Sequence, residues 1–204
     1  MRRRVVLLLG TLVIACSNPT PRASPSVDTP SPPVGPTDEP TGTASAVGPC
    51  VTRDLSIVVT NTTAAMNNVG GYLMFTNRSG GPCILEGAPK LIALTAAGAP
   101  TVARVEPNVG TPFPDANLAV ITLAAGDRAF AAYGGSDNPG NKPTCGPPYH
   151  VFHVSPPGDT EEVAISAFNA SLGQDQPSCA GISVTPIESA AVAAEYIDST
   201  DLHP

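Results

Sequence analysis

From residue 50 onward, apolar and polar side chains alternate in short runs that Gly or Pro residues mostly separate. Leu55, Ile57 and Val59 alternate with residues such as Ser56 and Thr60, which predicts a strand with one apolar face. Eight further strands are predicted over Tyr72–Thr76, Cys83–Glu86, Leu91–Thr95, Ala119–Leu123, Arg128–Tyr133, Tyr149–Val154, Glu162–Phe168 and Ile182–Thr185. Short, regularly spaced strands predict an all-β fold, namely an antiparallel immunoglobulin-like β-sandwich, with a small barrel as the alternative.

Turns and the chain end complete this pattern. Gly70–Gly71 is predicted to form a turn before its strand, and Ala124–Asp127 is predicted to form a hairpin-like turn. Residues 189–204 are expected to form a loose tail, although Ala190–Tyr196 could form a helical turn.

The N-terminus has the pattern of an export signal. Arg2–Arg4 are followed by the apolar run Val5–Ala15, whose eleven residues would span only about 16 Å as a helix, too short to cross a bilayer. The order aliphatic, variable, small, Cys at Val13–Cys16 resembles the lipobox of bacterial lipoproteins. This resemblance implies a signal peptide over 1–15 and a diacylglycerol thioether on Cys16; a plain secretory signal is the alternative.

Residues 16–48 are predicted to form a disordered linker behind the lipidated Cys. Between residues 17 and 47 there are eight Pro and ten Ser or Thr, and three Val are the only large apolar side chains. Such a segment buries too little surface to offset the entropy of ordering, so it would act as a semi-stiff spacer. The folded domain is then expected over 49–188.

The charge balance excludes some partners. The net charge is −7, and without residues 1–15 it becomes −10, because seven basic residues then face seventeen acidic ones. Phosphate backbones and anionic headgroups repel such a chain, so no nucleic-acid partner is expected. The expected contact with the membrane is therefore the lipid on Cys16.

The five cysteines divide into one lipid attachment site and four candidates for disulfides. An even number in an exported domain predicts two bonds, and three pairings are open. We favour Cys50–Cys83 with Cys145–Cys179, because each then closes a loop of about 34 residues within its own half. A zinc site is disfavoured, since no two of these residues are close together as in a Cys-x-x-Cys motif.

One stretch resembles a known family. Asn77–Gly98 reads NRSGGPCILEGAPKLIALTAAG and resembles the central motif of the DUF4232 domain, a family of actinobacterial exported proteins without assigned activity. The matching residues are Asn77, Ser79, Cys83, Leu85, Gly87 and Pro89. The resemblance covers residues 50 to about 188. Members often carry a Trp after the second hairpin, whereas here that region ends at Tyr133–Gly135 without a Trp. It implies no catalytic residue, and we interpret the motif as structural, with Asn77–Gly81 forming a turn.

Several residues resemble parts of catalytic or metal-binding patterns. His150 and His153 are three residues apart on a predicted strand, which places them on opposite faces and argues against a shared metal. Residues 137–141 resemble the start of a calcium loop, but Pro139 occupies the third position, where an Asp or Asn is required. Asp159, Glu161 and Glu162 fall in a predicted solvated turn. No metal, cofactor or catalytic residue is therefore predicted.

The long irregular segment 134–148 beside a Cys is the best candidate for recognition, because loops on β-scaffolds usually carry binding. Its candidate residues are Gly134, Ser136, Asp137, Asn138, Asn141 and Lys142. The sequence favours a non-enzymatic, lipid-anchored protein on the extracytoplasmic face that binds an envelope protein or small ligand. The alternatives are a hydrolase of envelope material, which would need His150 or His153 beside a carboxylate and a Ser in a pocket, and a passive structural lipoprotein.

Overall fold

The computed structural model describes residues 47–109, 119–142 and 144–197. The predicted signal peptide, Cys16 and the linker up to residue 46 lie outside the described residues. Within them the chain is all-β, with antiparallel sheets forming a sandwich, which confirms the predicted fold class. None of its described helices is long and apolar enough to span a bilayer.

The strands follow one another closely, with one short helix near the end. A 3-10 turn at Thr52–Asp54 precedes the first strand. In chain order the elements are β1 Leu55–Ala65, β2 Asn68–Asn77, β3 Cys83–Glu86, β4 Lys90–Thr95, β5 Pro100–Val102, β6 Arg104–Val105, β7 Val120–Leu123, β8 Arg128–Ser136, β9 Gly146–Ser155, β10 Val163–Ser166, β11 Phe168–Asn169, β12 Gln174–Ser178, β13 Ile182–Val184, β14 Glu188–Ser189 and α1 Ala190–Ala193.

Two main sheets and one small sheet organise these strands. The first sheet has the order β1-β2-β8-β13-β6, and β14 continues along β8 after β13. The second has the order β11-β12-β9-β4-β5, and β10 pairs with β9 beside β12. Strands β3 and β7 form the small sheet. The described strands pair antiparallel except for β13 with β6.

The main core lies between the two large sheets. Leu73, Phe75 and Tyr133 from the first sheet belong to the same buried cluster as Leu91 and Phe152 from the second. The rings of Tyr133 and Phe152 meet edge to face with centroids 5.1 Å apart, a favourable geometry for aromatic pairs. Both residues are fully buried, so this contact joins the two sheets.

A second apolar cluster covers another part of the first sheet. Tyr72 and Phe130 pack with Val109, Ala193 and Ile197, and the last two are 0% and 5% exposed. Residues 189–197 are therefore packed rather than loose, because their apolar side chains bury against the sheet. The short helix begins after Ser189, whose hydroxyl accepts a hydrogen bond from the Val192 N–H. Residues 198–204 lie outside the described residues.

Two turn predictions were wrong in detail. Gly70 and Gly71 lie inside β2, where a Cβ on Gly71 would come within 3.0 Å of the Thr60 carbonyl oxygen. Close approach of neighbouring backbone, not turn formation, requires this glycine. Residues 124–127 do form a turn, but it joins β7 of the small sheet to β8 of the first sheet, so the flanking strands do not pair as a hairpin.

The residues of the DUF4232-like motif have a structural role. Asn77 is 1% exposed, and its amide donates hydrogen bonds to the carbonyls of Leu123 and Gly81 at 3.0 and 2.9 Å. Its side-chain oxygen accepts from the Ser79 N–H and hydroxyl. One buried side chain thus closes the turn at residues 77–81, as predicted, and ties it to the end of β7.

The chain enters the domain beside this motif. The Ile84 N–H donates to the Gly48 carbonyl at 2.9 Å, and the Cys50 N–H donates to the Ile84 carbonyl at the same distance. The Cys50–Cys83 disulfide fixes the entering segment to β3 and confirms the first predicted bond. Ordered structure therefore includes Gly48, one residue before the predicted start of the domain.

Candidate functional site

The predicted recognition loop lies at the end of β8 and is exposed. Asp137, Asn138, Asn141 and Lys142 are exposed, and Ser136 is the last residue of the strand. The Ser136 hydroxyl accepts a hydrogen bond from the Asn138 N–H at 3.0 Å, and the Asn138 side-chain oxygen accepts from Gly140 N–H at 2.8 Å. These side-chain contacts to backbone order the loop locally.

The second disulfide fastens the loop to the domain. Cys145–Cys179 is formed as predicted. The Cys179 N–H also donates to the Ser136 carbonyl at 3.3 Å, so the disulfide and this hydrogen bond together join both ends of the loop to Cys179, directly after β12. A loop anchored in this way loses less conformational entropy when a partner binds.

Gly134 does not belong to the exposed part of this loop. It is buried within β8, and a Cβ there would come within 2.8 Å of the Val109 carbonyl oxygen. Gly135 is similarly restricted by the Gly181 carbonyl oxygen, 2.7 Å from its added Cβ. Both glycines permit close packing of backbone, so the candidate surface begins at Ser136.

Sequence reasoning missed the neighbour of this loop, the tip of the β1–β2 hairpin. The Asp137 N–H donates to the Asn67 carbonyl at 3.4 Å, which brings the tip beside the loop. Met66 and Asn67 both have left-handed backbones, with φ of 52° and 65°. Positive φ at both central residues is typical of a type I′ hairpin turn, for which Asn-Gly is the usual signal and Met is unusual. Met66 is 84% exposed.

We call the surface formed by Met66, Asn67 and Ser136–Lys142 the stapled-loop end. Beside it lies a concavity of about 540 Å³, lined by residues that include Asp137, Asp175 and the Cys145–Cys179 pair. The surface combines the exposed side chain of Met66 with amides, one carboxylate and the ammonium group of Lys142. It is suited to contact with a partner rather than to enclosure of a small substrate.

The two histidines lie on the same exposed side of β9, which corrects the prediction of opposite faces. Thr95 pairs with Tyr149 and Leu94 pairs with Val151, so His150 is an extra, bulged residue. A bulge shifts the alternation of side chains by one residue. Side-chain exposure is 59% for His150 and 39% for His153.

Each histidine has its own carboxylate partner. His150 Nδ1 lies 2.9 Å from Asp175 Oδ2, and His153 Nδ1 lies 3.2 Å from Glu162 Oε2. Lys90 Nζ, 2.7 Å from the other Glu162 oxygen, is the larger cause that lowers the pKa of Glu162, and His153 adds to it. Across residues 47–109, 119–142 and 144–197, no group of three or more His, Cys, Asp or Glu residues is arranged to hold a metal.

Asp159 was predicted to lie in a solvated turn, but its carboxylate is hydrogen-bonded to the backbone at the start of the domain. Its carboxylate accepts a hydrogen bond from the Thr52 N–H at 2.7 Å, and the Thr52 hydroxyl donates to the Glu161 carbonyl at 2.8 Å. The hydrogen bond from Thr52 N–H and then that from Glu161 N–H lower the pKa of Asp159 to about 2. The carboxylate thus holds the start of the domain against the loop after β9.

The fold also buries a carboxyl group that the sequence analysis did not single out. Glu188 on β14 is 4% exposed, and its two carboxylate oxygens have no hydrogen-bond partner within the described residues. Burial raises its pKa to about 7. Glu188 also lines a cavity of about 380 Å³ with residues of β7 and α1.

The described residues form a two-sheet sandwich with two disulfides, a structural Asn motif and an exposed loop fastened by the second bond. The family model named domain of unknown function DUF4232 matches residues 50–188, and the chain belongs to this family. No curated protein and no solved structure matches the chain significantly.

Proposed function

We propose that this chain is a lipid-anchored protein of the cell envelope whose β-sandwich binds another envelope component without catalysing a reaction. The binding surface in this proposal is the stapled-loop end, and the anchor is diacylglycerol on Cys16. The observation that carries the proposal is Met66, an apolar side chain 84% exposed at a left-handed turn position beside the fastened loop.

The backbone conformation and the exposure of Met66 support a role in contact. A left-handed backbone costs a non-Gly residue about 1–2 kcal/mol, and Gly at this position would remove that cost. The side chain is 84% exposed, so packing within the domain does little to offset this cost. Met66 is therefore unfavourable for the isolated domain. Its position at the hairpin tip is explained if a partner covers the side chain.

The arrangement of the histidines favours binding over hydrolysis. His150 and His153 lie on an open sheet surface, each beside one carboxylate, and no Ser hydroxyl is hydrogen-bonded to either ring within the described residues. A hydrolase of the Ser-His-acid type needs the nucleophile and base in contact. The exposed pairs are more consistent with hydrogen-bonded contacts on the protein surface.

Site-specific photocrosslinking in living cells tests the binding surface. A photoreactive amino acid replaces Met66, Asn138 or, as the control, Ala125, which is exposed in the turn between β7 and β8 at the opposite end of the sandwich. We expect the same crosslinked partner from Met66 and Asn138 and none from Ala125. Equal capture from all three positions, or none from the first two, would contradict the proposal.

A substitution separates binding from folding. Met66→Gly should preserve or slightly raise stability, because Gly adopts the left-handed turn freely, but should strongly reduce crosslinking from Asn138. Undiminished capture in this variant would show that Met66 is not part of the contact.

Metabolic labelling with an alkyne fatty acid tests the anchor. The full chain should acquire label and remain with membranes, whereas Cys16→Ala should be unlabelled and released. Label retained by the Cys16→Ala chain would place the lipid elsewhere, and an unlabelled full chain would exclude it.

A further inference from the structure

A further concave surface lies between an edge of the first sheet and an edge of the second. One wall is Val58–Thr62 of β1, at the edge of the first sheet, and the other comes from Ile165–Ser171, around β10 and β11 of the second. We call it the edge cleft. Its volume of about 730 Å³ falls in the range of small-ligand sites. It is separate from the residues of the stapled-loop end.

The two walls are held together at one end. The Ser171 hydroxyl donates to the Thr62 carbonyl, and the Ser171 N–H donates to the Thr62 hydroxyl at 3.1 Å. Buried Asn169 donates from its amide to the carbonyls of Thr63 and Gly70, at 3.4 and 3.3 Å. The cleft is therefore fixed before any ligand arrives, which lowers the entropy cost of binding.

A bulge in β1 places Asn61 in the cleft wall. Thr60 pairs with Tyr72 and Thr63 pairs with Gly70, so β1 has one extra residue between them. Asn61 has a φ of 45°, a left-handed conformation that Asn tolerates. Its carboxamide makes no hydrogen bond within the described residues, and bulges often redirect a side chain towards a ligand.

The cleft also contains an exposed aromatic ring. Phe75, Phe130 and Phe152 are fully buried, whereas Phe168 is 47% exposed. Nearby Val58 is 40% exposed, and Ser166 adds a hydroxyl to the same wall as Phe168. None of the residues that line the cleft is charged, although the chain has a net charge of −7.

We propose that the edge cleft binds a neutral saccharide, with Phe168 packing against a sugar face and the Asn61 carboxamide bonding its hydroxyls. A sugar presents polarised C–H groups to an aromatic face and hydroxyls that both donate and accept, which an amide complements. A charged ligand would find no counter-charge here. An added peptide strand would need a continuous row of main-chain groups, and the bulge at Asn61 interrupts that row.

Saturation-transfer NMR on the full exported chain in a non-glycosidic detergent tests the inference. The probes are maltotriose and mannotriose as neutral saccharides, trigalacturonic acid as an acidic one, and a neutral hexapeptide of Thr and Val. We expect saturation transfer to at least one neutral trisaccharide, with a Kd of about 1 mM or tighter, and none to the acidic one.

Two variants and a matched control locate the binding. Phe168→Ala and Asn61→Gly should each weaken the Kd at least about fivefold, and Gly preserves the left-handed backbone. Val102→Ala removes an exposed apolar side chain on β5, outside the cleft, and should bind as the wild type does. Circular dichroism confirms that each variant is folded.

Three results would overturn the assignment. These are the absence of transfer to both neutral trisaccharides, equal affinity for trigalacturonic acid, and equal losses in all three variants. Transfer to the hexapeptide alone would instead identify an extended peptide as the ligand. Because this cleft is distinct from the stapled-loop end, loss of crosslinking at Met66 would leave the result unaffected.

Discussion

Replacing Glu188 with Gln should stabilise the domain at neutral and alkaline pH. Glu188 is 4% exposed, and neither carboxylate oxygen has a hydrogen-bond partner within the described residues. An apolar environment penalises the charged form, so burial raises the pKa from its ordinary value of 4.5 to about 7. Gln has nearly the same shape and remains neutral throughout.

The sign of the effect follows from proton binding in the two states. Below pH 4.5 the folded and unfolded chains both hold the proton, so ionisation costs nothing. Between pH 4.5 and about 7 the unfolded chain releases its proton first, and the folded state loses stability as the pH rises. At about 1.4 kcal/mol per pH unit, the penalty grows to at most about 3 kcal/mol and is constant above that range.

Urea unfolding followed by circular dichroism, from about pH 4 to about pH 9 with both disulfides intact, measures the difference. The control is Glu195→Gln, because Glu195 is an exposed residue of the same C-terminal segment. Glu188→Gln should equal the wild type at the acidic end and exceed it by up to about 3 kcal/mol at the alkaline end. The control should remain within about 0.5 kcal/mol throughout. A pH-independent difference for Glu188→Gln would refute the reasoning.

Three further predictions concern stability. Tyr133→Phe should stabilise the domain by about 1 kcal/mol in urea unfolding, because the buried Tyr133 hydroxyl has no hydrogen-bond partner within the described residues; a loss of stability would show an overlooked partner. Replacing both Cys145 and Cys179 with Ser should cost about 3 kcal/mol and speed amide hydrogen exchange in residues 137–142, and unchanged exchange there would contradict the anchoring role. The stabilisation from ionised Asp159 is present above its ordinary pKa of 3.8 and is lost as the pH falls towards about 2, so Asp159→Asn should lack this acid-induced loss, and parallel acid profiles would argue against it.

The strands were largely predictable because period-two alternation depends on the local sequence alone. β3 at Cys83–Glu86 has the predicted bounds, and β8 and β9 extend theirs at the ends. Both disulfides were also predictable, since cysteine number and even loop spacing favour one pairing.

Features that depend on tertiary neighbours were not predictable. Gly71 was assigned to a turn because the sequence does not show that the Thr60 backbone lies against it. The bulge at His150 is visible only from the pairing of β9 with β4, and it reversed the expected orientation of one histidine. Likewise, Met66 carries no turn signal, and the buried Glu188 resembles any other acidic residue in sequence.

The chain enters the sandwich at one end, and the Cys145–Cys179 disulfide lies at the other. Gly48 is hydrogen-bonded beside Ile84, close to the Pro157–Gly158 turn that follows β9, whereas the Cys145–Cys179 bond lies at the start of β9. The ten residues of β9 span about 33 Å between these points. A force applied at Gly48 therefore acts on the end of the sandwich opposite to Met66.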